Sequence, residues 1–434
     1  MTKRNDKYVW TVGAKPPELD PHSVVKHQIV RSYLERYIQI LMSNVLIEKL
    51  TLSIVDGFAG GGEYSHSDGS SFRDGSPLIA IDTVREQEVL LNVDRVKPRK
   101  VDAKFYFVEK QASSLAYLKA LLATRIDTAR IGADVLLIPG LFQDRVDAII
   151  GDIRARANGS RALFLLDQFA YDQVPGPLLR RIFNEVTGAE VLLTFNVDSL
   201  ISFLSNTQKS RDKLKAMGME QYIDWEIIDQ LKLAPPAQWR SMIQRNLARG
   251  LVESSGAKHY TIFYITPLGK TPWSYWLVHL SNNFKARDVM MGLHWQMANH
   301  FSHYLEPDLF TLGYRGRDDS DATKQVAFEL GDEHRFDAVA DERCRTGLAR
   351  KLVPMIFDRS EPTVFGDMLN ALGSSTPATA DMMRATLGPA IQQGEIVATS
   401  VKGVHREKGS TLHPTDVLSA SPQRTIFSIP GAAR

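Results

Sequence analysis

Short apolar runs alternate with amphipathic stretches along the first half of the chain. Each run has the length of a strand, is rich in Val, Ile, Leu or Phe, and shows no polar–apolar alternation. The runs are 50–56, 104–109, 134–139, 161–167 and 190–196. A strand that is apolar throughout is buried on both faces, as in a parallel sheet covered by helices. The pattern therefore predicts an α/β fold with a doubly wound, Rossmann-like sheet.

Helical periodicity precedes and separates these runs. A leading helix is predicted after Pro21, because apolar residues three and four apart share one face. That face carries Val30, Leu34, Tyr37, Ile38 and Leu41. Crossover helices are predicted over 112–122, 142–157 and 175–186. Two later strands, 260–266 and 273–281, flank a turn with Pro and Gly and predict a hairpin at the edge of the sheet.

The same pattern divides the chain into two domains and a linker. Residues 1–305 form the α/β domain, and a basic helical insertion occupies about 208–256 within it. Its basic residues are Lys209, Arg211, Lys213, Lys215, Arg240, Arg245 and Arg249. Residues 306–340 are polar and predict a linker or surface excursion. Residues 341–434 are predicted to form a winged-helix module. Its predicted elements are two helices (364–372 and 379–392), a strand (396–400), a polar loop (401–423) and a closing strand (425–429).

Composition limits the classes of function. Lys and Arg number 52 and Asp and Glu 50, giving a net charge of +2. This near-balance excludes a histone-like polycation, although it permits a local basic groove. Cys344 is the only cysteine, which excludes an intramolecular disulfide and a cysteine-rich metal cluster. No run of about 18 apolar residues occurs, and the N-terminus is polar, so a soluble, cytoplasmic protein is expected.

No metal site is predicted from the histidines. His300 and His303 share a helical face, but His294 does not, and no nearby acid completes a set of ligands. These three histidines are better explained as partly buried residues of a helix.

A glycine-rich turn follows the first apolar run. The sequence from Asp56 to Gly62 is DGFAGGG, and a second acid, Glu109, ends the next strand. Glycine permits a sharp turn and a close approach of ligand to backbone, and Glu109 can accept hydrogen bonds from both ribose hydroxyls of an adenosine-type ligand. The glycines do not follow G-x-G-x-x-G, and Glu109 comes far later than the ~20 residues typical of dinucleotide sites. S-adenosylmethionine therefore fits better, with Asp56 anchoring its amino-acid moiety, while a turn without a ligand is the alternative.

A third acid, Asp167, ends the fourth strand in the sequence LLDQFAY. At this position a methyltransferase of the doubly wound type places its acceptor. A carboxylate accepts a hydrogen bond from an exocyclic amine, and Phe169 or Tyr171 can stack on a flipped base. In the alternative interpretation, the two aromatic residues pack the strand end and Asp167 caps the next helix.

The order of these motifs resembles that of the three-Cys-motif partner proteins over about residues 24–300. The resemblance rests on Tyr33 and Leu34 in the leading helix, on 55–64, on Gly75-Ser76-Pro77-Leu78, on 107–109 and on 166–171. The first half also resembles bacterial 23S ribosomal RNA adenine-N6 methyltransferases. Both resemblances imply a class I S-adenosylmethionine-dependent methyltransferase fold. The cofactor-pocket residues they imply are Asp56, Gly57, Phe58, Gly60, Gly62 and Glu109.

The resemblance also places Asp167 at the catalytic acid of the Asp-Pro-Pro-aromatic motif of amino-methylating enzymes. Two departures stand against catalysis: Gln168 replaces a proline, and the segment 138–141 lacks the acid that usually holds the adenine amine. The first hypothesis is methyl transfer to an exocyclic base nitrogen of nucleic acid. The alternative is a non-catalytic partner of a radical S-adenosylmethionine protein with three cysteines, or of a defence or maturation system.

The loop of the C-terminal module carries the remaining candidate residues. Lys402, Arg406 and Lys408 lie in the predicted wing, where they can contact nucleic-acid phosphates. The same module can instead dock another protein. The presumed recognition helix offers Arg384 beside Asp381 and is otherwise apolar or small, so base readout by that helix is not expected.

Overall fold

The chain forms two compact units. The computed structural model describes residues 8–66, 71–168, 170–233, 236–265, 275–297, 303–304, 333–334, 336 and 338–421. Among these residues, the first unit extends to Leu293, and the second consists mainly of 333–421. No helix in the described ranges is long and apolar enough to cross a membrane.

A seven-stranded sheet forms the centre of the first unit. The strands of this unit are β1 (Lys49–Asp56), β2 (Glu63–Ser65), β3 (Phe72–Asp74), β4 (Lys100–Glu109), β5 (Val135–Pro139), β6 (Arg161–Leu166), β7 (Gly188–Phe195), β8 (His259–Ile265) and β9 (Tyr275–Ser281). Strands β2 and β3 pair as a separate antiparallel hairpin, and the other seven form the sheet in the order β5-β4-β1-β6-β7-β9-β8.

The strand order identifies the fold class. Strands β5, β4, β1, β6 and β7 are parallel, and β9 inserts antiparallel between β7 and β8. These five parallel strands follow the Rossmann order. Strand β1 is in the centre, and the point at which the strand order reverses lies beside it. The antiparallel seventh strand gives the arrangement of class I methyltransferases. The predicted fold class is therefore confirmed for this unit.

The predicted strands form because their residues are buried on both sides of the sheet. Every residue of β1 after Lys49 is buried, and β6 and β7 are buried after their first residue. Strand β5 lies at the edge of the sheet, and only Val135 in it is fully buried. All five predicted parallel strands and the late hairpin are confirmed, and the largest shift is at β4, which begins four residues earlier than predicted. The whole of the predicted turn and the strand ends beside it, 266–274, lie outside the described residues.

Ten helices accompany this sheet in the described residues. They are α1 (Pro21–Leu41), α2 (Ser76–Leu91), α3 (Ala112–Arg125), α4 (Phe142–Ala155), α5 (Gly176–Glu185), α6 (Val197–Phe203), α7 (Gln208–Ala216), α8 (Ile228–Leu231), α9 (Pro236–Ser255) and α10 (Phe284–Met297). The leading helix is confirmed. Helix α2 was not predicted, since its first turns are an unbroken apolar run, 77–81, in which no helical period is visible.

The second unit combines three helices with a small antiparallel sheet. After β10 (His303–Tyr304) and β11 (Glu333–His334), its elements are α11 (Ala338–Phe357), β12 (Thr363–Val364), α12 (Phe365–Leu372), α13 (Ala380–Gln392), β13 (Ile396–Thr399) and β14 (Val417–Ala420). The sheet order is β12-β14-β13. The prediction of a loop throughout 401–423 was wrong, because β14 lies within it and pairs with both other strands. The predicted closing strand, 425–429, lies outside the described residues.

Candidate functional site

Three carboxyl groups lie at one edge of the sheet, where the parallel strands end. Asp56 is the last residue of β1, Glu109 is the last of β4, and Asp167 directly follows β6. Asp56 pairs in register with Phe107 on one side and Leu165 on the other, so the three strands end at nearly the same level. Ligands of open α/β sheets bind at this edge, beside the central strand.

The glycine turn after β1 requires glycine at several positions. Gly60 and Gly62 have φ angles of +58° and +87°, in the left-handed region that favours glycine. A Cβ atom on Gly57 would lie 2.7 Å from Cδ2 of Leu166. The turn therefore packs tightly on β6 and on its own surroundings. Tight packing alone accounts for these glycines, and it is the neighbouring acids that indicate a ligand.

Glu109 fixes the glycine turn to the end of β4. Its Oε2 accepts a hydrogen bond from the Gly60 N–H at 3.0 Å, and its Oε1 accepts one from the Gln111 N–H at 2.8 Å. Each carboxylate oxygen can accept a second hydrogen bond. Glu109 therefore shapes the turn and keeps acceptor capacity for a donor such as a ribose hydroxyl.

Asp56 is a buried carboxyl group with an unused acceptor. Its side chain is 1% exposed, Oδ1 accepts a hydrogen bond from the Phe58 N–H at 3.0 Å, and Oδ2 has no hydrogen-bond partner among the described residues. Burial raises the pKa of Asp56 to about 7, although the Ser76 hydroxyl and the Phe58 N–H act in the opposite direction. The charges of Asp167 and Glu109 add to the rise. A bound cation would favour the ionised form, so the position fits the ammonium of an amino acid.

Asp167 has its own cation. The Lys26 ammonium of α1 donates hydrogen bonds to both carboxylate oxygens, at 2.8 and 2.6 Å. Desolvation of the carboxyl raises its pKa, but the charge and hydrogen bonds of Lys26 outweigh this effect and hold the pKa of Asp167 below its usual range. Half of the Asp167 side chain remains exposed. The group is therefore an ionised acceptor that an incoming donor can reach.

Lys26 was missed by the sequence analysis. It lies 141 residues before Asp167 and is buried on the face of α1 that packs on the sheet. Lys26 also lies over the ring of Tyr275, 5.4 Å from its centroid. A lysine at a core-facing position of the leading helix is the one signal that would have identified it.

Aromatic residues surround this edge of the sheet. Burial raises the pKa of Tyr8, Tyr64 and Tyr275, and the negative charge of Asp167 adds to the rise in all three. Trp10 packs against Tyr64, with ring centroids 5.3 Å apart, and its Nε1 donates a hydrogen bond to the Glu63 carbonyl. None of these aromatic residues was identified as a site residue from the sequence.

Trp10 covers the glycine turn. Its ring fills the space beside Gly60 and Gly61, because a Cβ atom on Gly61 would lie 2.2 Å from the indole. The indole is 5% exposed. The segment before α1 thus contributes directly to the shape of the turn.

The segment after Asp167 is held by Gln168. Its side-chain carbonyl accepts hydrogen bonds from the N–H groups of Gln173 and Val174, at 3.1 and 2.9 Å. Gln168 is buried, and its Nε2 has no partner among the described residues. A hydrogen-bonded amide thus stabilises the turn at the position where the Asp-Pro-Pro-aromatic motif uses a proline.

Of the two residues predicted to stack on a base, the structure describes only Tyr171. Phe169 lies outside the described residues. Tyr171 is 6% exposed, and the ammonium of Lys213 in α7 lies 4.3 Å from its ring centroid. Lys213 also forms an ion pair with Asp172 at 2.9 Å. The ring of Tyr171 therefore packs beneath a lysine.

In the second unit, the three predicted phosphate-contacting residues also differ. Lys402 and Lys408 are exposed. Arg406 donates two hydrogen bonds to Asp416, at 2.8 and 3.0 Å, and this contact holds the pKa of the buried Asp416 carboxyl below its usual range. Arg406 therefore joins the loop to the segment before β14. Over the described ranges, no group of three or more His, Cys, Asp or Glu residues is placed to hold a metal ion.

Comparison with solved structures gives distant similarities to methyltransferases. Trm1 from Pyrococcus horikoshii, solved with S-adenosyl-L-methionine, is 11% identical, with 95% of this chain and 94% of Trm1 covered and a TM-score of 0.28. The plantazolicin methyltransferase BpumL, solved with SAH, is 10% identical, with 59% and 84% covered and a TM-score of 0.22. The methyltransferase domain of bacterial CtHen1-C is 10% identical, with 59% and 100% covered and a TM-score of 0.21. No family model and no curated protein matches the sequence. At these identities and scores, the fold assignment depends on the strand order.

Proposed function

We propose that this protein is an S-adenosylmethionine-dependent methyltransferase that acts on an amino nitrogen of a nucleic-acid base. The observation that carries the proposal is the pair of carboxyl groups at the ends of β1 and β6. Asp56 is buried with an unused acceptor, and Asp167 is ionised and half exposed. Asp56 therefore suits a cationic ligand, and Asp167 suits a neutral N–H donor.

The glycine turn and its two acids would hold the cofactor. Asp56 would accept a hydrogen bond from the α-ammonium group, and Glu109 would accept hydrogen bonds from the ribose hydroxyls. A pKa of about 7 in place of 3.8 corresponds to a cost of about 4 kcal/mol for ionising Asp56. A bound ammonium recovers part of that cost. S-adenosylmethionine supplies an electrophilic methyl group on its sulfonium.

Asp167 would orient the acceptor. Its carboxylate would accept a hydrogen bond from the amine, so that the nitrogen lone pair faces the methyl carbon. Transfer of the methyl group from sulfur to nitrogen would leave positive charge on the nitrogen, which would then release a proton to water. A fixed anion stabilises that developing charge, and positioning contributes most of the remaining acceleration. We place a flat acceptor against Tyr64, which is half-buried, since Lys213 covers the ring of Tyr171 and Lys26 lies over that of Tyr275.

The second unit would contribute to substrate binding. Its element order of helix, strand, two helices and two antiparallel strands is typical of winged-helix modules. We propose that Lys402 and Lys408 contact phosphates, because both are exposed, and that Arg406 stabilises the loop that carries them.

A second candidate function is that of a non-catalytic partner protein. It is favoured by the end of β5, where the described segment from Ile138 to Leu141 carries no acid to hold an adenine amine. In this case the fold would bind a ligand and support a radical S-adenosylmethionine protein.

Asp167 provides the test. Transfer of labelled methyl groups to mixed RNA and DNA is measured for the wild type, Asp167→Ala and Asp167→Asn, with calorimetric titration of S-adenosylmethionine alongside. Both variants are expected to lose transfer by at least ~100-fold, as for removal of a key electrostatic group, and to keep cofactor binding. Unchanged turnover in both variants would refute the assignment of Asp167 as the residue that orients the acceptor. A wild type that binds the cofactor but methylates neither polymer would favour the partner protein.

A further inference from the structure

Helix α7 is a basic element that the proposed chemistry leaves without a role. Its sequence, QKSRDKLKA, carries Lys209, Arg211, Lys213 and Lys215 against one acid, Asp212. Leu214 is buried and anchors the helix to the unit. The positive charge therefore lies on a helix that is fixed in place by its apolar face.

Most of this charge has no carboxylate partner. Lys209 and Lys215 are exposed, and neither forms an ion pair with a described residue. Arg211 donates hydrogen bonds to the Asn206 side chain and lies 5.1 Å from the Trp225 ring centroid, with no acid in contact. Asp212 accepts a hydrogen bond from Gln208. An uncompensated cluster of this kind is complementary to a polyanion.

The helix is attached to the segment that follows Asp167. Lys213 bridges to it by the ion pair with Asp172 and by its contact with the Tyr171 ring. A polymer lying along α7 would therefore pass close to the proposed acceptor site.

An exposed aromatic residue adjoins the same helix. Phe203, at the end of α6, is 65% exposed, and the Ser210 hydroxyl of α7 donates a hydrogen bond to its carbonyl. Proteins that bind single strands combine basic residues along the backbone with aromatic rings on which bases stack. Phe203 and the lysines of α7 provide these two features on adjoining helices.

We infer that α7 and Phe203 form a binding surface for single-stranded nucleic acid that leads to Asp167. Lys209 and Lys215 contact phosphates, and Phe203 stacks on a base outside the methylation site. This inference rests on nucleic acid being the acceptor, as proposed above.

The test compares two charge reversals of equal size. Lys209→Glu/Lys215→Glu reverses the charge of the two exposed lysines of α7. Lys100→Glu/Lys258→Glu makes the same change at exposed residues beside the amino ends of the parallel strands, at the opposite edge of the sheet. Binding of fluorescein-labelled single-stranded RNA and single-stranded DNA of mixed sequence is measured by anisotropy over a range of KCl concentrations. Calorimetric titration with S-adenosylmethionine checks that each variant keeps the cofactor site.

The α7 variant is expected to lose about 30-fold in affinity at low salt, with the slope of log affinity against log salt reduced by about 1.4 for two lost phosphate contacts. The matched variant stays within about twofold of the wild type. Phe203→Ala is expected to cost about tenfold with an unchanged salt slope, and Leu46→Ala, an exposed apolar control, to cost nothing measurable. The RNA and DNA arms identify which polymer binds more tightly.

Two results would overturn the inference and leave the proposed function intact. In one, the α7 variant binds both oligonucleotides as the wild type does. In the other, the matched variant loses as much affinity as the α7 variant, so that net charge alone is responsible. A wild type that binds S-adenosylmethionine but neither oligonucleotide would overturn both the inference and the nucleic-acid acceptor.

Discussion

Asp56 ends β1 and Asp167 directly follows the neighbouring strand β6, but the pKa values of the two carboxyl groups are shifted in opposite directions. Burial without a cation raises the pKa of Asp56 to about 7. Lys26 lowers the pKa of Asp167, and half of that side chain remains exposed. The two acids end equivalent strands, so the difference comes from the side chains around them.

Under the proposed function, this difference separates two roles in one site. A carboxyl group that lacks a positive partner favours a ligand that brings one, such as the ammonium of an amino acid. A carboxyl group that has its own lysine stays ionised without a ligand and can accept a hydrogen bond from a neutral amine. Two titratable groups with opposite shifts at one edge of a sheet are typical of functional sites.

The largest expected effect comes from Lys26→Met, which removes the cation of the acceptor side. The pKa of Asp167 should rise, because its principal stabilising partner is lost, and the acid limb of the pH–rate profile should move to higher pH. We expect methyl transfer to fall about 100-fold at neutral pH, while cofactor affinity changes little.

Two controls separate this effect from a loss of folding. Lys26→Arg keeps the charge and should restore most of the activity. Lys49→Met breaks an exposed ion pair with Asp102 at the opposite edge of the sheet and should have no effect. A profile for Lys26→Met that keeps its shape and position would contradict the assigned role.

The next effect concerns Glu109, which fixes the glycine turn on the cofactor side. Glu109→Ala removes the acceptor of the Gly60 and Gln111 N–H groups and of the proposed ribose contact. We expect S-adenosylmethionine affinity to fall about 30-fold by calorimetry, in line with the loss of charge-assisted hydrogen bonds. Glu48→Gln, at an exposed acid before β1, is the control. Full affinity in a folded Glu109→Ala protein would refute the pocket.

A smaller effect follows from the titration of Asp56. Below pH 7 the free protein holds a proton on this carboxyl group, and an ammonium binds to the ionised form. Cofactor affinity should therefore rise about fivefold between pH 6 and pH 7, with release of a proton on binding. Calorimetry in buffers of different ionisation enthalpy measures both quantities. Asp56→Asn should bind weakly at every pH, and a proton release that persists in this variant would assign the titration to another group.

The smallest effect is expected at Tyr171. Because Lys213 covers its ring, Tyr171→Leu should change methyl transfer by less than about threefold, within the range of a conservative packing change. Tyr64→Leu serves as the comparison and should raise KM for the acceptor more than it lowers kcat. If methyl transfer were lost only in Tyr171→Leu, and the stability of that variant in denaturant were unchanged, Tyr171 would be the stacking residue.

The sheet and the position of three acids at its carboxyl edge could be predicted from the sequence because both depend on local patterns. Continuous apolar runs identify β1, β4 and β6, and an acid at the end of each marks the ligand edge. Helix α2 was missed because an unbroken apolar run hides its period. Strand β14 was missed because four residues within a polar loop give too short a signal.

The partners of these acids could not be predicted in the same way. Lys26 reaches Asp167 across 141 residues, and Trp10 reaches the glycine turn from the segment before α1. Such contacts depend on the packing of α1 and of the preceding segment on the sheet, which no local pattern encodes. The prediction that Tyr171 stacks on a base could not take account of such a contact, because the lysine that covers its ring, Lys213, comes from α7.

Calorimetric titration of S-adenosylmethionine into the wild type, Asp56→Asn and Asp167→Asn at neutral pH tests the division of roles most directly. We predict that the wild type binds, that Asp56→Asn loses at least about tenfold in affinity, and that Asp167→Asn stays within about twofold. Equal losses in both variants would contradict the separation of a cofactor acid from an acceptor acid. A folded wild type that does not bind would contradict the proposed function itself.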